Sequence, residues 1–217
     1  GAECEPLLET DRFLMRHKAR EIVSAAAAVA KEVGAEDCTI ALKHHYTAEI
    51  AALEAAIRDL GAPVRLHLMD NIYPAGDEQV MVEAVTGQVV PPAGIPLDVG
   101  AAVNNVATMV AVYDAMAGVP LSWKYLTVTG AVGSPAILHV PAGTSVRECL
   151  DLAGGVCAQD PVVVFGGPMM GKIVPLDEAL DRVVTKTDSG LVVLPGDSYL
   201  AGVGRITMAH MLSRARS

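Results

Sequence analysis

The spacing of apolar residues changes character near Pro120 and divides the chain there. Before this point, segments with helical spacing alternate with short apolar runs, and Gly34, Gly61 and Gly87 mark helix ends. Such alternation is typical of a layered, Rossmann-like α/β domain with a largely parallel sheet. In sheets of this kind, ligands bind beyond the carboxyl ends of the strands, where loops meet helix starts.

The predicted elements of this first domain follow one another closely. They are a helix from Thr10 or Asp11 to about Glu32, a strand at 38–43, a helix from Thr47, a strand at 63–69, a helix at about 77–85, a short strand at 99–105 and a helix directly after it.

After Pro120 the pattern predicts a compact α+β unit. Two strand-like runs at 125–132 and 136–143 are joined by a Gly-Ser-Pro turn. A short helix capped by Thr144 or Ser145 follows, and further strands lie in "PVVVFGGPMMGKIV" and "SGLVVLP". This order favours a β-grasp fold. We therefore divide the chain into an α/β domain at 1–122, a β-grasp domain at 123–198 and a C-terminal helix at 199–217.

Composition excludes several classes of function. The net charge of -9 argues against a nucleic acid or an anionic membrane as partner. No apolar run is long enough for a transmembrane segment. The four cysteines are far apart and form no C-x-x-C pair, so we expect reduced thiols and no metal site.

The first candidate site is the corner "YPAGDEQ". Its candidate residues are Tyr73, Gly76, Asp77 and Glu78. Acidic residues at a helix start complement the helix dipole, so the corner is explained equally well as a turn and a cap. A glycine before a helix also lets a phosphate or a flat cofactor approach the backbone.

The second candidate is "VNNVAT", with Asn104, Asn105 and Thr108 at a helix start. Side-chain amides donate and accept hydrogen bonds, so they suit a ligand with ring carbonyls and nitrogens or with a ribityl and phosphate chain. The alternative is that Asn105 only caps the helix and Asn104 lies in the turn before it.

The third candidate is "GAECEP", in which Glu3 and Glu5 point to one side of an extended chain and suit a ribose or a polarisable ring. A solvated acidic segment is the alternative. By contrast, "VFGGPMMGK" lacks the spacing of a phosphate loop, because Lys172 is followed by Ile173. We interpret it as a structural turn.

Four motifs in this order, "GAECEP", "YPAGDEQ", "PLDVGAAVNNVAT" and "GGPMMG", resemble one family over nearly the whole chain. It is the RnfC/PduS-like flavoprotein family, which is related to the FMN-binding flavin subunit of respiratory complex I. The resemblance implies an FMN-binding first domain and a second domain of the SLBB β-grasp type.

The resemblance also implies roles for individual residues. The acidic stretch near FMN and nicotinamide matches Glu3, with Glu5 close by, and the aromatic-x-x-Gly-acidic-acidic corner matches the residues from Tyr73 to Glu78. Asn104, Asn105 and Thr108 match the double-asparagine motif and are expected to hold the ribityl and phosphate region. The implied role of Gly76 is to let the backbone approach the isoalloxazine.

Two family features are absent from the sequence. The family's glycine-rich phosphate loop lies upstream of "GAECEP", and its cysteine-rich 4Fe-4S motifs lie downstream of the position of "SRARS". We therefore expect a central fragment of a longer protein. We also expect the fragment to bind FMN weakly or not at all and to be inactive by itself.

For the full-length protein, the resemblance implies an NADH-dependent flavin oxidoreductase. It would pass electrons from NADH through FMN and 4Fe-4S clusters to a redox partner protein or a corrinoid. The tail "RITMAHMLSRARS" favours the cobalamin reductase type, which would be cytoplasmic and associated with a bacterial microcompartment. The alternatives are an Rnf-type subunit, peripheral at the inner membrane, and a non-catalytic module that binds a ligand or partner.

Overall fold

The computed structural model describes residues 1–204, which form two compact units. The first unit contains Gly1–Cys4 and Asp11–Leu121. The second contains Glu5–Thr10 and the described residues from Ser122 to Gly204. A linear division of the sequence does not anticipate that Glu5–Thr10 belongs to the second unit. Most of the helix predicted at 199–217 lies outside the described residues.

The first unit surrounds a short parallel sheet. Strands β1 and β2 pair in parallel, from Thr39 opposite Arg65 to Lys43 opposite Met69. The elements are α1 (Thr10–His17), α2 (Ala19–Glu32), β1 (Thr39–Lys43), α3 (Thr47–Leu60), β2 (Arg65–Met69), α4 (Glu78–Thr86), a 3-10 helix (Pro96–Val99) and α5 (Val106–Met116).

Two predictions for this unit are wrong. The single helix predicted to run from Thr10 to Glu32 is two helices, because the backbone of Lys18 leaves the helical region between α1 and α2. The strand predicted at 99–105 does not form. The 3-10 helix overlaps the first residue of this stretch, and its C-cap is Gly100, whose φ of 74° lies in the left-handed region that favours glycine. A loop then leads to Asn105, the N-cap of α5.

The second unit is a mixed five-stranded sheet in the order β4–β3–β7–β5–β6. Neighbours β3 and β7 are parallel, and the other pairs are antiparallel. Its elements are β3 (Trp123–Gly130), β4 (Ala136–Pro141), α6 (Val146–Leu152), β5 (Val162–Phe165), β6 (Lys172–Pro175), α7 (Leu176–Leu180), β7 (Gly190–Leu194) and α8 (Tyr199–Gly204).

The core of the second unit lies between one face of this sheet and α6. The helix contributes Val146, Cys149 and Leu150, which pack with Leu126 and Val128 of β3 in one buried cluster. The helix starts where the sequence predicts, because Ser145 and Glu148 form a capping box. The short helix α7 is not predicted by the sequence pattern.

No helix within residues 1–204 combines the length and the apolar character that crossing a membrane requires.

Candidate functional site

The first unit contains a cleft of about 370 Å³. Three stretches of chain form it: the N-terminal segment, the corner that leads into α4, and the loop that leads into α5. The volume is within the range of small-molecule sites. The lining residues are Gly1, Ala2, Glu3, Cys4, Asp11, Gly76, Glu78, Met81, Val103, Asn104 and Asn105.

The N-terminal segment is fixed against the corner at Gly76. The Gly76 N–H donates to Cys4 Sγ at 2.7 Å, and a Cβ at Gly76 would overlap the carbonyl oxygen of Ala2. Ala2 and Ala75 are buried in one small apolar cluster with Met69, the last residue of β2. The structure therefore gives Gly76 a packing reason to be glycine, because the neighbouring backbone fills the space that a side chain would take.

Asn105 has two structural roles at the start of α5. Its Oδ1 accepts the Ala107 N–H at 2.7 Å, which caps the helix. Its Nδ2 donates to Asp11 Oδ2 at 2.7 Å. Asp11 is almost fully buried and also lines the cleft. In the sequence Asp11 is only a possible helix cap, and no signal there connects it with the loop more than ninety residues away.

The other acidic candidates of the corner differ in their surroundings. Asp77 caps α4, and its Oδ1 accepts the N–H groups of Gln79 and Val80. Glu78, the first residue of α4, lines the cleft. Glu3 also lines the cleft, and its Oε1 accepts the N–H of Cys4 at 2.8 Å. Glu3 and Glu78 therefore face the cleft, whereas Asp77 shapes the helix beside it.

The structure thus brings Glu3, Gly76, Glu78, Asn104 and Asn105 together around one cleft. The remaining candidates, Tyr73, Asp77, Thr108 and Glu5, are not among the lining residues. Tyr73 and Thr108 are exposed to solvent, and Glu5 belongs to the second unit. A direct contact of any candidate with a cofactor stays a prediction.

The comparisons with known proteins identify the family. A family model described as the Nuo51 FMN-binding domain matches residues 1–114. The chain belongs to this family. A second model, the SLBB domain, matches residues 125–172. The predicted order of an FMN-binding α/β domain and an SLBB β-grasp domain is therefore confirmed.

Curated relatives belong to two groups of oxidoreductases. The cobalamin reductase PduS of Citrobacter freundii is 43% identical over 196 residues, which are 90% of this chain and 42% of that relative. One subunit of the Na⁺-translocating ferredoxin:NAD⁺ oxidoreductase complex of Acetobacterium woodii is 34% identical over 202 residues, which are 91% of this chain and 44% of that relative. The chain therefore spans less than half of the length of these relatives.

Solved structures share the fold at lower identity. The crystal structure of an NAD⁺-reducing NiFe hydrogenase in the H₂-reduced state matches with a TM-score of 0.76 and 22% identity. The match covers 89% of this chain and 39% of the hydrogenase chain.

The residues of the cleft fit one part of FMN better than the other. Exposed Asn104 can donate to and accept from a flavin ring, and the carboxylates of Glu3 and Glu78 can accept from ribityl hydroxyls. A phosphate needs donors and positive charge. Among the described residues, none that lines the cleft is Lys or Arg. The cleft therefore suits the ring and the polyol of FMN and provides little for its phosphate.

Proposed function

We propose that this chain is the flavin-binding part of an electron-transfer flavoprotein that takes electrons from NADH and passes them through FMN and 4Fe-4S clusters. The observation that carries the proposal is the cleft, because it lies within the FMN-binding family match and gathers five of the nine residues proposed from sequence to bind the cofactor. FMN would supply the redox chemistry, accepting electrons in pairs and releasing them singly.

The residues of the chain would bind the flavin and set its electrostatic surroundings. Asn104 presents an amide to the ring, and the Asn105–Asp11 hydrogen bond fixes the loop that carries Asn104. The carboxylates of Glu3, Asp11 and Glu78 oppose added negative charge in the cleft. They would therefore lower the reduction potential of a bound flavin.

For the electron acceptor we propose a corrinoid, because the PduS relatives are 43% identical and the Rnf-type relative is 34% identical. With a corrinoid as acceptor, the proposed location is the cytoplasm or a microcompartment. An Rnf-type subunit at the inner face of a membrane is the second candidate, since those relatives cover the same share of the chain. Reduction of cob(III)alamin or cob(II)alamin by the full-length protein with NADH tests this choice.

Flavin titration of the 217-residue chain tests the cleft itself. We expect saturable quenching of flavin fluorescence with a dissociation constant weaker than about 1 μM, because none of the described lining residues offers a lysine or arginine side chain to the phosphate. For the same reason riboflavin should bind nearly as well as FMN. Asn104→Ala should weaken both, whereas Asn71→Ala, at an exposed asparagine outside the lining, should not.

Two results would count against the proposal. An absence of saturable quenching with both flavins would show that the cleft does not bind a flavin. Micromolar or tighter binding of FMN but not of riboflavin would show that a phosphate site exists, and the cleft chemistry described above would then be wrong.

A further inference from the structure

The segment Glu5–Thr10, which we call the strap, belongs to the second unit, although the residues on both sides of it belong to the first. Gly1–Cys4 precede it and Asp11 follows it. Each end of the strap is therefore joined by one peptide bond to a residue that lines the cleft, namely Cys4 or Asp11.

The carboxylate of Glu5 is held by the loop between β5 and β6. Glu5 Oε2 accepts the N–H of Met169 at 2.8 Å, and Oε1 accepts the N–H of Met170 at 2.7 Å. Successive backbone N–H groups that converge on one anion form a nest, and hydrogen bonds to a charged acceptor are about twice as strong as neutral ones. A Cβ at Gly167 would overlap the Glu5 side chain, so the glycine leaves room for it.

The remainder of the strap is anchored within the same unit. Leu8 is buried against Val164 and Val192. The N–H of Glu9 donates to Thr127 Oγ1 at 3.1 Å, and the hydroxyls of Thr10 and Thr127 lie 2.7 Å apart. The strap is thus bound at both ends, by the loop at Glu5 and by β3 at Thr10.

We propose that the loop 166–171 is a carboxylate receptor, that Glu5 is its internal ligand, and that this binding positions Glu3 and Cys4 in the cleft. The "GGPMMG" stretch then has a function as an anion-binding loop, with a carboxylate of its own chain in place of a phosphate. Neighbouring Cα atoms are about 3.8 Å apart, so release of Glu5 would also loosen Cys4 from Gly76. Glu5 is a positioning residue, because it acts through its neighbours and does not line the cleft.

The test measures how fast Cys4 is alkylated by iodoacetamide, read for each cysteine by peptide mass spectrometry. Glu5→Gln keeps the size of the side chain and removes the charge. We expect alkylation of Cys4 to accelerate about tenfold, which corresponds to the loss of about 1.4 kcal/mol from a charged hydrogen-bonded contact. Exposed Cys157 and buried Cys149 should react at unchanged rates, and they serve as internal standards.

Two further variants separate the receptor from general effects of charge. Gly167→Ala changes the loop and leaves Glu5 itself unaltered. It should accelerate alkylation of Cys4 in the same way, because its Cβ displaces the Glu5 side chain. Glu36→Gln removes an exposed carboxylate elsewhere and should change nothing. Unchanged alkylation of Cys4 in both Glu5→Gln and Gly167→Ala would overturn the proposal. Equal acceleration at Cys149 would assign the effect to unfolding and would overturn it as well.

Flavin binding gives an independent second measurement, and only this part rests on the proposed function. Glu5→Gln should weaken quenching of FMN fluorescence several-fold, because Glu3 lines the cleft and lies two residues from Glu5. If no variant and not even the unaltered chain binds a flavin, the proposed function fails. The alkylation of Cys4 would still decide whether the loop positions the segment.

Discussion

Both units bury apolar side chains of their helices, but they differ in whether charged side chains are buried as well. Among the described residues, the buried charged side chains, Asp11 and Glu49, both lie in the first unit. Glu49 of α3 is 1% exposed and accepts from Arg12 Nε at 2.8 Å and from an Arg16 guanidinium nitrogen at 2.7 Å. In the second unit the core between α6 and the sheet is apolar. The first unit should therefore respond to pH and to single charges in addition to lost volume, and the second mainly to lost volume.

The largest expected effect is a cavity in the core of the second unit. Leu126→Ala, at a fully buried position of β3, should lower the free energy of unfolding by about 3–4 kcal/mol, independently of pH between about 5 and 8. The fluorescence of Trp123, the single tryptophan, reports unfolding of this unit. Leu152→Ala, at an exposed position of α6, should cost less than about 1 kcal/mol. Equal losses in the two variants would contradict the assignment of the core.

The next effect concerns the buried carboxylate of the first unit. Glu49→Gln should destabilise the protein by about 3 kcal/mol, because two arginines lose their buried partner. Glu54→Gln on the same helix is the matched control. Its exposed carboxylate lies 3.9 Å from Arg58 and should contribute less than about 0.5 kcal/mol. Circular dichroism follows both variants, and a small loss in Glu49→Gln would show that the ion pairs do not stabilise this unit.

The same carboxylate predicts a pH dependence. Burial raises the pKa of Glu49, but hydrogen bonds from Arg16 and Arg12 outweigh it and hold the pKa below its ordinary value of 4.5. The contribution of the Glu49 carboxylate to folding stability is therefore fully present above about pH 4.5. It is lost as the pH falls through the lower pKa that Glu49 has in the folded state. Denaturant titrations from about pH 7 to about pH 3 should show this loss in the unaltered chain and not in Glu49→Gln. If the free energy of unfolding fell equally with pH in both proteins, Glu49 would not be the source of the pH dependence.

The sequence predicts the two units unequally well, and the reason is physical. In the second unit β5 and β7 are short apolar runs bounded by Gly and Pro, so local pattern and tertiary burial agree there. In the first unit the stretch 99–105 is apolar enough to suggest a strand. The left-handed backbone of Gly100 and the capping role of Asn105 decide against it. The backbone of Gly100 and the cap at Asn105 depend on the loop around them and not on the spacing of apolar residues.

The candidate site was predictable where a motif is continuous in sequence and not where it depends on a distant contact. The corner at Gly76 and the loop at Asn104 lie at the cleft because each is a turn before a helix. Asp11 and the strap could not be found in this way. Asp11 meets Asn105, and Glu5 meets Met169 and Met170, across sequence separations that leave no local pattern.

The smallest effect tests whether polar contacts outside the core also stabilise the second unit. Ser145 Oγ accepts the N–H of Glu148 at 3.2 Å, and Glu148 Oε2 accepts the Ser145 N–H at 3.0 Å. Ser145→Ala removes one half of this capping box and should cost about 1 kcal/mol. Ser134→Ala, in the exposed turn before β4, should be neutral. Denaturant titrations followed by Trp123 fluorescence measure both variants. If Ser145→Ala were also neutral, the position of α6 would depend on its apolar face alone. Polar contacts would then contribute to the stability of the first unit and not measurably to that of the second.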